Sequence, residues 1–243
     1  MFKKVICLLS ALPILISGAR ASDFLNKFSI KLTPTGIFAV DGNYNDTDKL
    51  KQVVNIGLGF GGTLRYEINE NIYIDAGYVF NWMSVKEDKK PFVYKEESPA
   101  LNLQMFTLNT TFFLKSGYLL EPYLTLGCGI YPWKFSEDPI WGEAWPALGN
   151  PDKSFSNTSF GLNIGLGLES YIFSLFSISA EIKYHYVFSR DVAKFGTDDF
   201  TQQDFLALAL ASFTTLRRND CSIQQVITIS DICLINLPES LSF

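Results

Sequence analysis

Apolar and polar residues alternate with a period of two along most of the chain. From Gln52 to Glu67, Val54, Ile56, Leu58, Phe60, Leu64 and Tyr66 fall on one face, and Asn55, Gly57, Gly59, Gly61, Thr63, Arg65 and Glu67 fall on the other. Asn71 to Met83, Ser159 to Ser170 and Phe176 to Ser189 repeat the arrangement. Successive side chains of a β-strand point to opposite faces, whereas a helix of these residues would have no coherent apolar side. The pattern predicts eight strands, near Phe28–Asp41, Gln52–Glu67, Asn71–Ser84, Ala100–Lys115, Leu119–Lys134, Ser156–Tyr171, Phe176–Ser189 and Gln203–Phe213. The fourth changes phase near Met105–Phe106, which suggests a bulge or the end of its buried portion. Short connections at Ile68–Glu70, Ser116–Tyr118 and Ile172–Leu175 alternate with long polar ones after strands one, three, five and seven. Long strands with short turns at one end and long loops at the other match the pattern of an outer-membrane barrel.

The first residues carry a different signal. Lys3 and Lys4 precede an apolar run from Val5 to Ile16, and Ala19-Arg20-Ala21 forms a small-x-small site before Ser22. This predicts a cleaved export signal over 1–21, because the run is too short to span a bilayer as a helix. Of 243 residues, 47% are hydrophobic and 15% aromatic, which excludes a disordered chain. A formal net charge of −5 argues against nucleic acid as a partner. One histidine and four cysteines exclude a His-rich metal site and a disulfide scaffold, and no cofactor is expected.

Alternation alone does not decide whether the apolar face points in or out. Gly57, Gly59, Gly61, Gly77, Gly127, Gly129, Gly161, Gly165 and Gly167 lie on the polar face, where a narrow lumen needs small residues to admit larger neighbours. Tyr66, Tyr78, Phe80, Trp82, Tyr184, Tyr186 and Phe188 gather near strand ends on the apolar face, as interfacial girdles require. The expected fold is therefore an all-β, eight-stranded antiparallel up-and-down barrel over 22–215, with a lipid-facing exterior and a polar lumen. A soluble periplasmic barrel is the competing arrangement. The segments GLGFGGTLRYEINENIYIDAGYVF, EPYLTLGCGIY and FGLNIGLGLESYIFSLFSISAEIKYHYVF resemble the small bacterial outer-membrane β-barrel proteins, the group that includes the OmpA membrane domain, OmpX and OmpW. That resemblance implies a bacterial outer-membrane location, periplasmic termini and surface-exposed long loops. It implies no catalytic residue.

The candidate residues are mostly lumenal. Lys31, Arg65, Glu67, Asp75, Glu121, Glu169, Glu181, Lys183 and His185 fall on the inward face and are expected to form a structural ion-pair network. A hydrolase would need His185, Ser189 and Glu181 together, but four residues along a strand separate side chains by about 13 Å. Asp191, Asp198 and Asp199 in the last loop have no second histidine to work with. Trp141 and Trp145 in the third long loop are the candidate interaction residues, able either to present an exposed binding surface or to fold back over the mouth. After Leu210 the alternation dissolves, and residues 216–243 form an atypical tail with Cys221 and Cys233. The tail is read as a frame change or a periplasmic extension.

The expected function is structural or interactive: membrane integrity, adhesion or recognition through the loops, and not a general diffusion pore. The alternatives are a conduit or binding site for a small hydrophobic molecule, which Val79, Met83 and Trp133 near the rim favour, and a lipid-modifying enzyme. Expected partners are outer-membrane lipids and lipopolysaccharide, the barrel-assembly machinery during insertion, and an unidentified surface partner.

Overall fold

The computed structural model describes residues 27–45, 48–89, 98–114, 120–138, 142–147, 150–173, 176–189 and 203–215. The predicted signal segment, the tail from 216 onward, Trp141 and the acids of the last loop lie outside these residues. Ten strands follow in chain order: β1 (Phe28–Asp41), β2 (Gly57–Asn69), β3 (Ile72–Ser84), β4 (Ala100–Phe113), β5 (Glu121–Ser136), β6 (Pro146–Ala147), β7 (Asn150–Ser154), β8 (Ser156–Phe173), β9 (Phe176–Phe188) and β10 (Gln203–Thr215). Eight of them close into an antiparallel barrel in the order β1-β10-β9-β8-β5-β4-β3-β2, and β6 and β7 form a separate hairpin.

The register fixes the barrel's shape. Paired residues lead from Phe28 through Tyr66, Ile74, Thr110, Leu126, Ile164, Tyr184 and Leu206 back to Phe38, ten residues further along β1. Eight strands with that stagger tilt by about 40° and leave a lumen that side chains alone can fill. Ten residues on such a strand climb about 25 Å, the height of an outer-membrane hydrocarbon band. Aromatic residues mark both edges: Phe28 and Tyr66 pack together at the turn end, and Phe80, Trp82, Tyr186 and Phe188 lie toward the loop end.

The exterior decides between lipid and water. Leu58, Phe60, Leu166 and Ile182 are 60%, 59%, 63% and 52% exposed, within a band of large apolar side chains that encircles the barrel. A soluble monomer rarely exposes a contiguous apolar patch beyond a few hundred Å². The lumen meanwhile buries Lys31, Arg65, Asp75 and Glu181. The soluble arrangement is thereby overturned.

Three details differ from the sequence expectation. β2 begins at Gly57 and not Gln52, because Leu50–Val53 form a helical turn, α1, whose Leu50 and Val53 drop into the barrel mouth. Their spacing of three suits a helix and cannot share one face of a strand. Gly42, at φ 116°, turns the chain out of β1 into this segment, and its carbonyl accepts the Leu50 N–H. The phase change in β4 involves no bulge, since its pairing with β3 runs unbroken from Ile72–Phe112 to Ser84–Ala100. Leu101, Leu103 and Met105 point inward above Thr107, Asn109 and Thr111, so it is the lumen that changes character. Lastly, β10 continues past Leu210 to Thr215, which pairs with Ser29. Bonding to strands on both sides holds this segment extended even where its apolar alternation fails.

The lumen leaves little slack for substitution. A Cβ added at Gly161 would lie 2.7 Å from Tyr131 Cε2 and 2.6 Å from the Tyr186 carbonyl oxygen. Gly161→Leu should therefore cost about 1–3 kcal/mol and deplete the fast-migrating unboiled band on SDS gels. Outward-facing Leu162→Val is the control and should leave that band unchanged.

Candidate functional site: a lumen closed by two unlike plugs

The turn-end half of the lumen is polar and paired. Arg65 and Asp75 face each other across β2 and β3, with Nε–Oδ1 at 2.9 Å and Nη2–Oδ2 at 3.2 Å. Arg65 Nη1 also donates to Glu169 Oε2 at 2.9 Å, and the guanidinium lies 5.2 Å from the Tyr73 ring centre and 5.7 Å from that of Phe113. Thr111 donates to Asp75, and Ser177 to Glu169, each at 2.7 Å. A second cluster sits across β10, where inward Ala207 and Ala209 leave room. There Lys31 Nζ meets Glu181 Oε2 at 3.0 Å, and Lys183 Nζ meets Oε1 at 2.7 Å. Three cations thus face three carboxylates. Such pairing is what makes burial tolerable, because an unpaired buried charge costs several kcal/mol.

The two clusters hold six of the nine predicted network residues, Glu121 lies at the level of the first, and Glu67 and His185 stand apart from both. Glu67 is half-buried at the turn end, and Glu121 is buried directly across from Glu169 on the neighbouring strand. His185 stands above the carboxylates, and its Nδ1 lies 3.0 Å from the Tyr131 hydroxyl. The Tyr131 ring also packs edge-on to the imidazole. His185 therefore has neither Glu181 nor Ser189 as a partner. At this middle level a cavity of about 50 Å³ lies among Thr33, Asn81, Met105 and Asn109, room for a water or two and for no solute.

Toward the loop end the lumen becomes a small apolar core. Ile37, Met83, Leu101, Leu103, Val187 and Phe205 enter from the wall, and the loops close over them. Tyr44, Leu50 and Val53 come from the first loop and Val85 from the second. From the third, Trp145 and Phe155 stack on Phe135 at 5.7 Å and 5.0 Å, with Trp133 edge-on to Phe155 at 5.5 Å. The backbone of Phe135 bonds to both Trp145 and Phe155, so the third loop extends the sheet of β5 before turning back. The first two loops are tied by the Val54–Val85 bridge and by Lys89 Nζ to Asp48 Oδ1 at 2.7 Å. That hydrogen bond holds the Lys89 ammonium above the usual lysine range.

Trp145 is 2% exposed, so of the arrangements the sequence left open it takes the one folded back over the mouth. Its ring joins the stack because that removes a large apolar surface from water and adds aromatic contact worth about 0.5–1.5 kcal/mol per pair. The sequence reading found Val79, Met83 and Trp133 but missed Tyr44, Leu50, Val53 and Phe155. The available signals were the break in period at Leu50–Val53 and the phase change of β4. Among the described residues no cluster of three His, Cys, Asp or Glu could hold a metal ion.

The closed eight-strand barrel, its apolar girdled exterior and its polar lumen agree with comparison against known proteins. Residues 7–213 match the family described as the outer membrane protein beta-barrel domain. The chain belongs to that family. It is a bacterial outer-membrane β-barrel, in line with the location its exterior requires. Neisserial surface protein A is similar at 13% identity and a TM-score of 0.53, over 78% of this chain and 97% of the other. The attachment invasion locus protein Ail of Yersinia pestis (18%, TM-score 0.45, 77% and 96%) and OprG of Pseudomonas aeruginosa (14%, 0.45, 77% and 94%) are further structural neighbours. At these identities the likeness concerns the fold. No curated protein matches the chain.

The lower plug gives a direct stability prediction. Arg65→Met leaves Asp75 and Glu169 buried without their cation and should destabilise the barrel by about 3–5 kcal/mol in urea titrations of the detergent-folded protein. Arg65→Met combined with Asp75→Leu and Glu169→Leu should recover much of the loss. A triple variant no better than the single one would show that the pairs are not what makes this layer stable.

Proposed function

We propose that the protein is a sealed, non-conducting barrel with a structural or surface-interaction role, its loop end serving adhesion, recognition or envelope integrity. The observation that carries this reading is the double closure of the lumen. Ion pairs occupy the lower half and an aromatic and aliphatic core the upper, so among the described residues side chains pack both halves of the lumen. The folded loops form the part of the described molecule that faces outward above the membrane. We read the chain as non-catalytic. The only histidine is bonded to Tyr131, and Glu181 is occupied by two lysines.

A conduit for small hydrophobic molecules is the second reading. It is favoured by the apolar upper lumen and opposed by the ladders of β3 with β4 and of β5 with β8, which run without a gap along that wall.

Planar bilayers containing the full chain should show no steady single-channel steps. Trp145→Ala with Phe155→Ala should remain silent as well, because the ion-paired layer still blocks the lumen. Stable conductance in the unaltered protein would overturn the sealed reading. For the loops, cells carrying the protein should bind surfaces or neighbouring cells more than cells with residues 142–154 replaced by a Gly-Ser linker. Equal binding, together with faster uptake of an apolar solute such as indole in both strains, would replace this reading with the conduit.

A further inference from the structure

The outer wall is not uniform. Over β4, β5 and β8, just above the hydrocarbon band, a notch of about 340 Å³ is lined by Asn102, Gln104, Pro132, Lys134, Ser156 and Thr158. Elsewhere toward this rim the outward positions stay aromatic, as at Phe38, Trp82 and Phe188. Directly below, a groove of about 820 Å³ is floored by Gly62, Ala76 and Cys128 and framed by Tyr78, Phe106 and Phe160. The two depressions abut. On each of three strands the notch residue is the next outward position after a groove residue: Gln104 after Phe106, Pro132 after Ile130, and Thr158 after Phe160. Two residues on a strand span about 7 Å, so polar notch and apolar groove form one track.

The chemistry of the notch selects an anionic, hydroxylated head. Lys134 is its one charged lining residue, and no carboxylate lines it. Among the described residues the Lys134 ammonium donates once, to the Gly142 carbonyl at 2.9 Å, and has two further N–H groups. Asn102 is 2% exposed. Its Nδ2 donates to Ser136 Oγ at 2.7 Å and reaches the Asp138 carbonyl at 3.5 Å, while its Oδ1 has no partner among the described residues. A buried acceptor of this kind is costly unless a donor reaches it. Below, small side chains on β2, β3 and β5 leave an apolar recess where larger ones stand on either side, and its size falls within the range of ligand pockets.

We propose that this track binds one outer-leaflet glycolipid, with an acyl chain in the groove over Gly62, Ala76 and Cys128 and its phosphorylated sugar headgroup in the notch at Lys134 and Asn102. The site lies on the lipid-facing wall and is separate from any partner of the loops.

The test uses the full chain in phosphatidylcholine nanodiscs doped with hexa-acylated lipid A, with bound lipid read by native mass spectrometry. Lys134→Gln and Cys128→Trp should each lower lipid A retention about fivefold, the effect of losing about 1 kcal/mol of contact. Ile178→Trp, on the opposite wall, should leave retention unchanged. Free glucosamine 1-phosphate should not compete, because it has no chain for the groove. Variants are compared only in the heat-modifiable, folded form. As a measurement free of variants, lipid A should slow maleimide labelling of Cys128 in the unaltered protein, read at the Cys128 peptide. Retention unchanged in either Lys134→Gln or Cys128→Trp would overturn the two-part site. Competition by the free sugar phosphate, or Cys128 labelling indifferent to lipid A, would overturn the lipid as occupant.

Discussion

Closure of the backbone hydrogen-bond ladder is the constraint on which everything else rests. Lipid offers no donors or acceptors, so strands at membrane depth must pair on both sides, and only a closed sheet does this without an edge. β10 shows the strength of the requirement. Its tail-ward end loses the apolar alternation, yet it remains extended to Thr215 because β1 and β9 both bond to it. Closure with a ten-residue stagger then sets the tilt, the height of the apolar band and the width of the lumen together.

A lumen that narrow has to be filled, and this protein fills it in two ways. Near the turn end, Arg65 and Lys31 lie among carboxylates from β3, β8 and β9, strands that bring distant parts of the sequence to one level. Buried ion pairs of this kind contribute modest net stability, because desolvation offsets most of their attraction. Near the loop end the same inward positions carry Leu101, Leu103, Met105 and Trp133, and the loops supply Trp145, Phe155 and Leu50 to cover them. The upper part of the barrel therefore resembles a small soluble domain, with its apolar residues inside, set upon a membrane barrel that has its apolar residues outside.

That inversion explains the phase change of β4. Below the rim, outward positions meet lipid and inward positions meet ions, so the apolar residues are Phe106 and Leu108. Above it, outward positions meet water and headgroups and inward positions meet the cap, so the apolar residues become Leu101, Leu103 and Met105. The strand does not shift register as the pattern changes sides. A period-two reading sees the change but not its cause, because the cause is the environment outside the strand.

The sequence alone determined the number of barrel strands, most of their limits, which residues share a face, and the inverted character of the barrel. It could do so because period-two alternation, inward glycines and girdle aromatics are local, and each follows from a strand having two unlike faces. Only the tertiary structure decided that Lys31 pairs with Glu181 across β10, that His185 turns to Tyr131, and that Trp145 is buried in the mouth. It also decided that the polar notch above Phe106 meets an apolar groove beneath it. These outcomes depend on stagger and closure, which bring together residues as distant as Lys31 and Glu181, 150 positions apart. No pattern within a single strand carries that information.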